Sequence, residues 1–269
     1  MSNKPSGNKK AQRAAAAAKV AEMRRQQAAK ERRRNILLGL GVAVVVALIV
    51  GGAVFLQSTR DSTGDANAAV PSGLVDGQGF VRGKDSAPVH LVMYEDFLCP
   101  ICGQFEKDEA DFLAQQVAAG SLQVEYRPIA ILDRSSNGTN YSTRSANAAV
   151  CVLNDAGADA AGKMHDLLYA NQPEENSDGL PDSQLVDLAV QAGADRSTVQ
   201  TCIDDQQYKD WVANVTDQSS KDGVTGTPTA VLDGAMLDSN TTLVPATFQQ
   251  AVTDAVNSGG SSDNNSSAP

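Results

Sequence analysis

The stretch Val89-His90-Leu91-Val92-Met93-Tyr94-Glu95-Asp96-Phe97-Leu98-Cys99-Pro100-Ile101-Cys102 decides how the rest of this chain is read. Residues Val89–Tyr94 are few, mostly apolar and partly β-branched, which predicts a buried strand. Pro88 stands just before them, where a missing N–H does little harm. From Pro100 the pattern becomes helical: Phe105, Phe112, Leu113 and Val117 share one face, and Gly120 supplies a stop. Leu122–Tyr126 then alternates as a second strand. Strand, cysteine pair, helix and strand make a βαβ unit.

Beyond this unit, residues 142–221 read as helical. Leu185, Leu188, Ala189 and Ala192 fall at i, i+3, i+4, i+7 and are closed by Gly193; Tyr208, Trp211, Val212 and Val215 form another apolar stripe. Strand character returns at Thr229–Leu232, with a turn at Asp233-Gly234. A last helix starts near Pro245 and turns Phe248, Ala251, Val252, Ala255 and Val256 inward. The expected class is α/β, with a helical block at about 140–221 set into it. There is no internal repeat.

The net charge of -10 conceals a split. Residues 1–34 carry 11 Lys/Arg against 2 Asp/Glu; the remainder carries 11 against 30. Between head and body runs Ile36–Leu56, 21 residues without a charge. As a helix it would span about 31 Å, close to the thickness of a bilayer core. Arg32, Arg33 and Arg34 abut it, so segment 35–56 is expected to be one transmembrane helix. The basic head 1–34 then lies in the cytoplasm and everything after it outside. A cleaved signal peptide, with Ala66-Asn67-Ala68 as its processing site, is the competing reading. The head could also contact anionic lipid or nucleic acid, but a topology signal accounts for it and no nucleic-acid partner is expected. Residues 57–79 are polar and read as a flexible linker with a reach of about 25 Å. The tail 258–269 is of low complexity and is expected to be disordered. The folded domain is expected at 80–257.

Four cysteines, at 99, 102, 151 and 202, allow three pairings. Cys99 and Cys102 stand where the strand gives way to the helix. With Cys99 at the helix cap, free N–H groups and the positive end of the helix dipole would support its thiolate. The thiolate is both the attacking and the leaving species in disulfide exchange. Cys102, one turn on, is in reach to resolve a mixed disulfide, and Pro100 suits the first turn because it has no N–H to lose. A zinc site usually needs two close pairs or a nearby His. Cys151 and Cys202 stand apart, and His90 and His165 have no companion in sequence, so no metal is expected. A Cys151–Cys202 bond would close a loop of about 51 residues and contribute ~4 kcal/mol by chain entropy. It could staple the helical block or serve as a second redox pair relaying electrons to the first. Glu95 reads as the exposed acidic end of the strand. Asp96 is either that or a buried carboxylate able to shuttle the proton of Cys102.

The segment Tyr94–Cys102 resembles the active-site entry of the DsbA-like thioredoxin superfamily. Gly223-Val224-Thr225-Gly226-Thr227-Pro228-Thr229 resembles its second signature, the cis-proline loop. The long interval between the two has room for the helical domain that DsbA-like proteins insert. The resemblance covers about residues 80–257 and implies a thioredoxin-like fold with a helical insertion. It implies Cys99 as nucleophile, Cys102 as resolving thiol, and a cis Pro228 with Thr227 facing Cys99 and offering backbone groups to a substrate strand. The extra pair is similar to the structural disulfide, here Cys151–Cys202, of membrane-anchored actinobacterial relatives. Their implied partners are reduced, unfolded exported proteins and a quinone-linked membrane reoxidase of VKOR type; no cofactor is implied. Strongly oxidising relatives often carry His where this chain has Ile101, which can give the Cys99 thiolate neither a hydrogen bond nor a charge. The motif therefore does not set the direction of use. A dithiol oxidase, a reductase or isomerase of the same fold, and a peptide-binding or chaperone module with structural cysteines are the competing functions. Isomerases of this superfamily usually dimerise through an added domain, and none is visible here.

Overall fold

One mixed sheet organises the domain, and its central strand is the one just before the cysteine pair. The computed structural model describes residues 67–259; segments 1–34, 35–56 and 57–66 and the tail from 260 lie outside the described residues. Among the described residues no helix is long and apolar enough to cross a membrane. In chain order the elements are β1 (Phe80–Arg82), β2 (Val89–Glu95), α1 (Pro100–Ala119) and β3 (Leu122–Pro128). Five helices follow: α2 (Tyr141–Ala156), α3 (Ala158–Ala170), α4 (Asp182–Ala192), α5 (Arg196–Asp204) and α6 (Lys209–Lys221). The chain closes with β4 (Thr229–Leu232), β5 (Ala235–Met236), α7 (Ser239–Leu243) and α8 (Pro245–Asn257).

The strand order is β1-β3-β2-β4-β5. β2 and β3 are parallel, from Val89 opposite Leu122 to Glu95 opposite Pro128, as a βαβ crossover requires. β4 runs antiparallel to β2 with Tyr94 opposite Thr229. That register carries Thr227 and Pro228 to the end of β2 from which the cysteine loop departs. Alternation divides the sheet into two faces. Val89, Leu91, Met93, Leu122, Val124, Ala230 and Leu232 pack against Phe105 and Leu113 of α1 and Phe248 and Val252 of α8. Val92, Tyr94 and Val231 face the other core, shared with Trp211, Val212 and Val215 of α6 and the rest of the helical block.

Helix α1 starts at a proline and stops where Gly120 adopts φ 75°, its amide bonding back to Gln116 and Val117; a side chain there would be strained. Helix α2 is buried on nearly all sides. Its Arg144 donates to Asp182 at 2.6 Å and also to the carbonyls of Thr139 and Leu180. Cys151 of α2 and Cys202 of α5, 51 positions apart, are joined by a disulfide. The short strand β1 and helix α7 were not foreseen; both are too brief to show periodicity.

The linker expected over 57–79 does not extend that far. Trp211 Nε1 donates to Gly77 O at 2.7 Å, Ser72 N donates to Asn154 Oδ1 at 3.1 Å, and Leu74 packs on the core. Polar composition concealed this, because the anchoring groups are mainly backbone atoms of the segment and side chains far along the chain.

Replacing both Cys151 and Cys202 by Ser is expected to lower unfolding free energy by ~4 kcal/mol, from the loop of 51 residues that the bond closes. Urea denaturation measures it; a loss below about 1 kcal/mol would show that the bond does not staple the block.

Candidate active site

The loop between β2 and α1 is held from three sides, and each tie sets where Cys99 lies. Asp96 is fully buried and accepts three amides: Leu98 N on Oδ1, and Ile131 N and Leu132 N on Oδ2, each at 2.9 Å. It clasps the loop to the segment after β3. Gln172, just past α3, donates Nε2 to the carbonyls of Phe97 at 3.1 Å and Cys99 at 2.9 Å. Gly103 leaves room for it, since a Cβ there would meet the Gln172 amide and displace it from these carbonyls. On the third side, Thr227–Pro228 is a cis peptide, and Cys99 Sγ donates to Thr227 O at 3.4 Å.

Cys99 is the N-cap of α1. Both cysteines are free thiols, Cys99 with 5% of its surface exposed and Cys102 with none. Their environments differ in sign. The Cys99 thiol is lowered from 9.0 to about 6, chiefly by a hydrogen bond from the Cys102 thiol. The Thr227 side chain and the amides of Cys102 and Ile101 add to this, against the opposing cost of burial. The amides are among the unpaired donors of the first helical turn. Cys102 is pushed well above 9.0, first by burial, then by Cys99 and by the negative charge of Glu95. The pair thus holds one proton readily and yields the other: an exposed-side thiolate nucleophile with a protonated partner behind it.

Asp96 is the buried carboxylate of its second sequence reading, and both its oxygens accept backbone amides that hold the loop. Burial raises it to about 6 even so. Glu95, expected to be exposed, is 3% exposed and is the carboxylate whose charge reaches Cys102. The strand's alternation carries it inward, on the same face as Met93.

Glu95 Oε2 meets His165 Nε2 of α3 at 2.8 Å. His165 is packed among rings, with centroids 4.1 Å from Tyr126, 5.0 Å from Tyr169 and 5.7 Å from Phe97. Glu106, four residues after Cys102, is buried beside them and pushed up by burial and then by Glu95. His165 is raised despite its own desolvation, by Glu106, Asp166 and Glu95. Sequence spacing gave His165 no companion; folding supplies three. The i+4 step from Cys102 was the one signal that Glu106 points inward, and nothing local marked His165 or Gln172.

Two outcomes follow from this geometry. Alkylation of Cys99 by iodoacetamide should rise with pH through a midpoint of about 6, while Cys102 stays unreactive to pH 8 or so. Because the folded thiol is depressed, the reduced fold gains stability as pH rises from about 6 toward 9.0 and loses it as pH falls back through 6. A Cys99 midpoint above about 8 would contradict the support described. Asp96→Ala should cost roughly 2–4 kcal/mol in urea denaturation, since three amides lose their acceptor; a loss under about 1 kcal/mol would remove Asp96 from its role as the clasp.

The profile of the thioredoxin family matches residues 76–254. Among solved structures, DsbA from Mycobacterium tuberculosis in its reduced form is 26% identical, with a TM-score of 0.56, covering 68% of this chain and 98% of that one. The disulfide bond oxidoreductase DsbG from the same organism is also 26% identical, with a TM-score of 0.54, covering 77% and 97%. Among curated sequences, the serine/threonine-protein kinase PknE of Mycobacterium tuberculosis is 30% identical over 128 residues, 46% of this chain and 22% of the kinase. The chain thus spans about a fifth of the length of the curated relatives it matches. With the cysteine pair at the head of α1, the cis-proline beside it and the helical block between them, the chain belongs to the thioredoxin family and has its DsbA-like fold.

Proposed function

We propose that this chain is an extracytoplasmic protein-disulfide oxidoreductase that introduces disulfides into exported proteins through Cys99 and Cys102. The observation that carries the reading is the opposite tuning of the two sulfurs: Cys99 lowered to about 6, Cys102 raised and sealed from solvent. Starting from the Cys99–Cys102 disulfide, a client thiolate attacks Cys99 Sγ. Cys102 leaves and takes up a proton, so the buried sulfur ends neutral. A second client thiolate then attacks the client sulfur of the mixed disulfide and releases Cys99 as its stabilised thiolate. The client loses two electrons and the protein's pair gains them. A stabilised Cys99 thiolate favours the reduced protein, which makes its disulfide a stronger oxidant. Helix amides and Cys102 provide that support, so Ile101 does not have to.

The surface around the pair suits an unfolded client. Ile101 is 52% exposed, and with Leu243 and Pro245 it lines a shallow apolar hollow beside Phe105. DsbG of Mycobacterium tuberculosis is a disulfide bond oxidoreductase, which supports this chemistry, and the same fold in reverse would serve a reductase or isomerase. The basic head, the apolar run 35–56 and the acidic body support a single-pass anchor with the N-terminus in the cytoplasm. A membrane-bound, quinone-linked reoxidase of VKOR type would then restore the Cys99–Cys102 bond.

The test is oxidation of a reduced, unfolded client by the stoichiometric disulfide form. Wild type should oxidise it rapidly, and Cys99→Ala and Cys102→Ala, neither of which can carry the disulfide, should be inactive. Wild-type rates in Cys99→Ala would sink the enzyme reading.

A further inference from the structure

Disulfide exchange gives Glu95 a task through its charge on Cys102, but none to Glu106 or His165. These three side chains come from β2, α1 and α3, and one ligand atom of each lies within 4.8 Å of the other two. All are buried.

The hydrogen-bond accounting around them does not close. Asp166 is held by Arg82 through two bonds of 2.8 Å. Its Oδ1 lies 3.4 Å from His165 Nδ1, which favours the tautomer with the proton on that nitrogen. The Nε2 lone pair then points at Glu95 Oε2, 2.8 Å away. Two acceptors that close need a cation, either a proton or a metal ion. One proton satisfies that contact, and a second, on Glu106, would bridge it to Glu95; without added cations Glu95 Oε1 and Glu106 Oε1 are buried and have no donor. Buried oxygens without donors are rare, and an ion is one of the few things that explain them.

The donor set fits such an ion. One imidazole and two carboxylates suit zinc and leave a coordination position open. Ligands of tetrahedral zinc at about 2.0–2.1 Å lie roughly 3.3 Å apart, so a pair of ligand atoms at the 4.8 Å limit would close by about 1.5 Å on binding. A carboxylate on the far nitrogen of a ligating His, the place Asp166 occupies, is the usual outer support. Glu106 also borders two cavities that give access. One, of about 400 Å³, is lined with Gly103, Asp166 and Tyr169; the other, of about 170 Å³, with Arg82 and Tyr126.

We propose that Glu95, Glu106 and His165 form a mononuclear site for a divalent transition-metal ion, best matched by zinc, behind the redox pair. Binding exchanges one Zn²⁺ for the proton shared by His165 and Glu95 and the proton carried by Glu106; both are released to solvent and the charge of the cluster is conserved. The site itself does not depend on the direction of exchange.

The experiment uses the full chain with Cys99–Cys102 oxidised, so that no thiol competes for metal. Protein stripped with chelator is equilibrated with zinc, dialysed and assayed for metal content and thermal melting. One retained zinc per chain with a raised melting temperature is expected. Retention should be lost in Glu106→Gln and His165→Gln, kept in His90→Gln, and weakened about tenfold or more in Asp166→Asn. Cobalt in place of zinc should give visible ligand-field absorption that Glu106→Gln abolishes. Circular dichroism identifies a variant that fails to fold; if His165→Gln is one, Glu106→Gln decides. No retained zinc in wild type, or equal retention in Glu106→Gln, overturns the proposal.

Discussion

The hydrogen bond from the Cys102 thiol to Cys99 Sγ is the interaction on which the rest of the site depends. It needs one sulfur charged and the other protonated, and the fold enforces that division. Cys99 caps a helix whose first amides point at it, while Cys102 lies one turn deeper with no exposure and a carboxylate nearby. Exchanging these environments would leave a buried thiolate, which burial and Glu95 both oppose.

Much of the domain serves to hold that arrangement. The antiparallel register of β2 with β4 delivers Thr227 to Cys99. Asp96 ties the loop to the chain after β3, and Gln172 ties it to the end of α3. The helical block is therefore more than an insertion between two signatures. It supplies Gln172 to the backbone of the cysteine loop and His165 to Glu95, and the Cys151–Cys202 bond joins α2 to α5 within it.

Local patterns disclosed the parts of this molecule that local physics governs. The apolar run of β2, the proline and glycine that bound α1, and the stripe on α8 all follow from period and capping, and the structure has each of them. The cysteine pair was legible because two residues suffice to define it. What could not be read is what depends on distant chain segments meeting. Glu95 and Asp96 are adjacent acids whose surroundings the sequence could not supply: Glu95, expected outside, turns inward toward His165, and Asp96 is buried and accepts amides 35 and 36 positions away. The anchoring of residues 71–79 was hidden for the same reason, since Gly77 offers only a carbonyl and Trp211 lies 134 positions on. Support of the Cys99 thiolate by helix amides was legible from its cap position, whereas the larger share, from the Cys102 thiol, was not.

If the division of charge between the sulfurs is what makes this protein an oxidant, the reduction potential of the Cys99–Cys102 couple must reflect it. Equilibration of the full chain in glutathione buffers, with the thiols trapped by acid and alkylated, measures it directly. The account predicts a potential between about -180 and -120 mV, the range of protein disulfide isomerase and DsbA. A value near about -270 mV, that of thioredoxin, would contradict it and assign the pair to reduction.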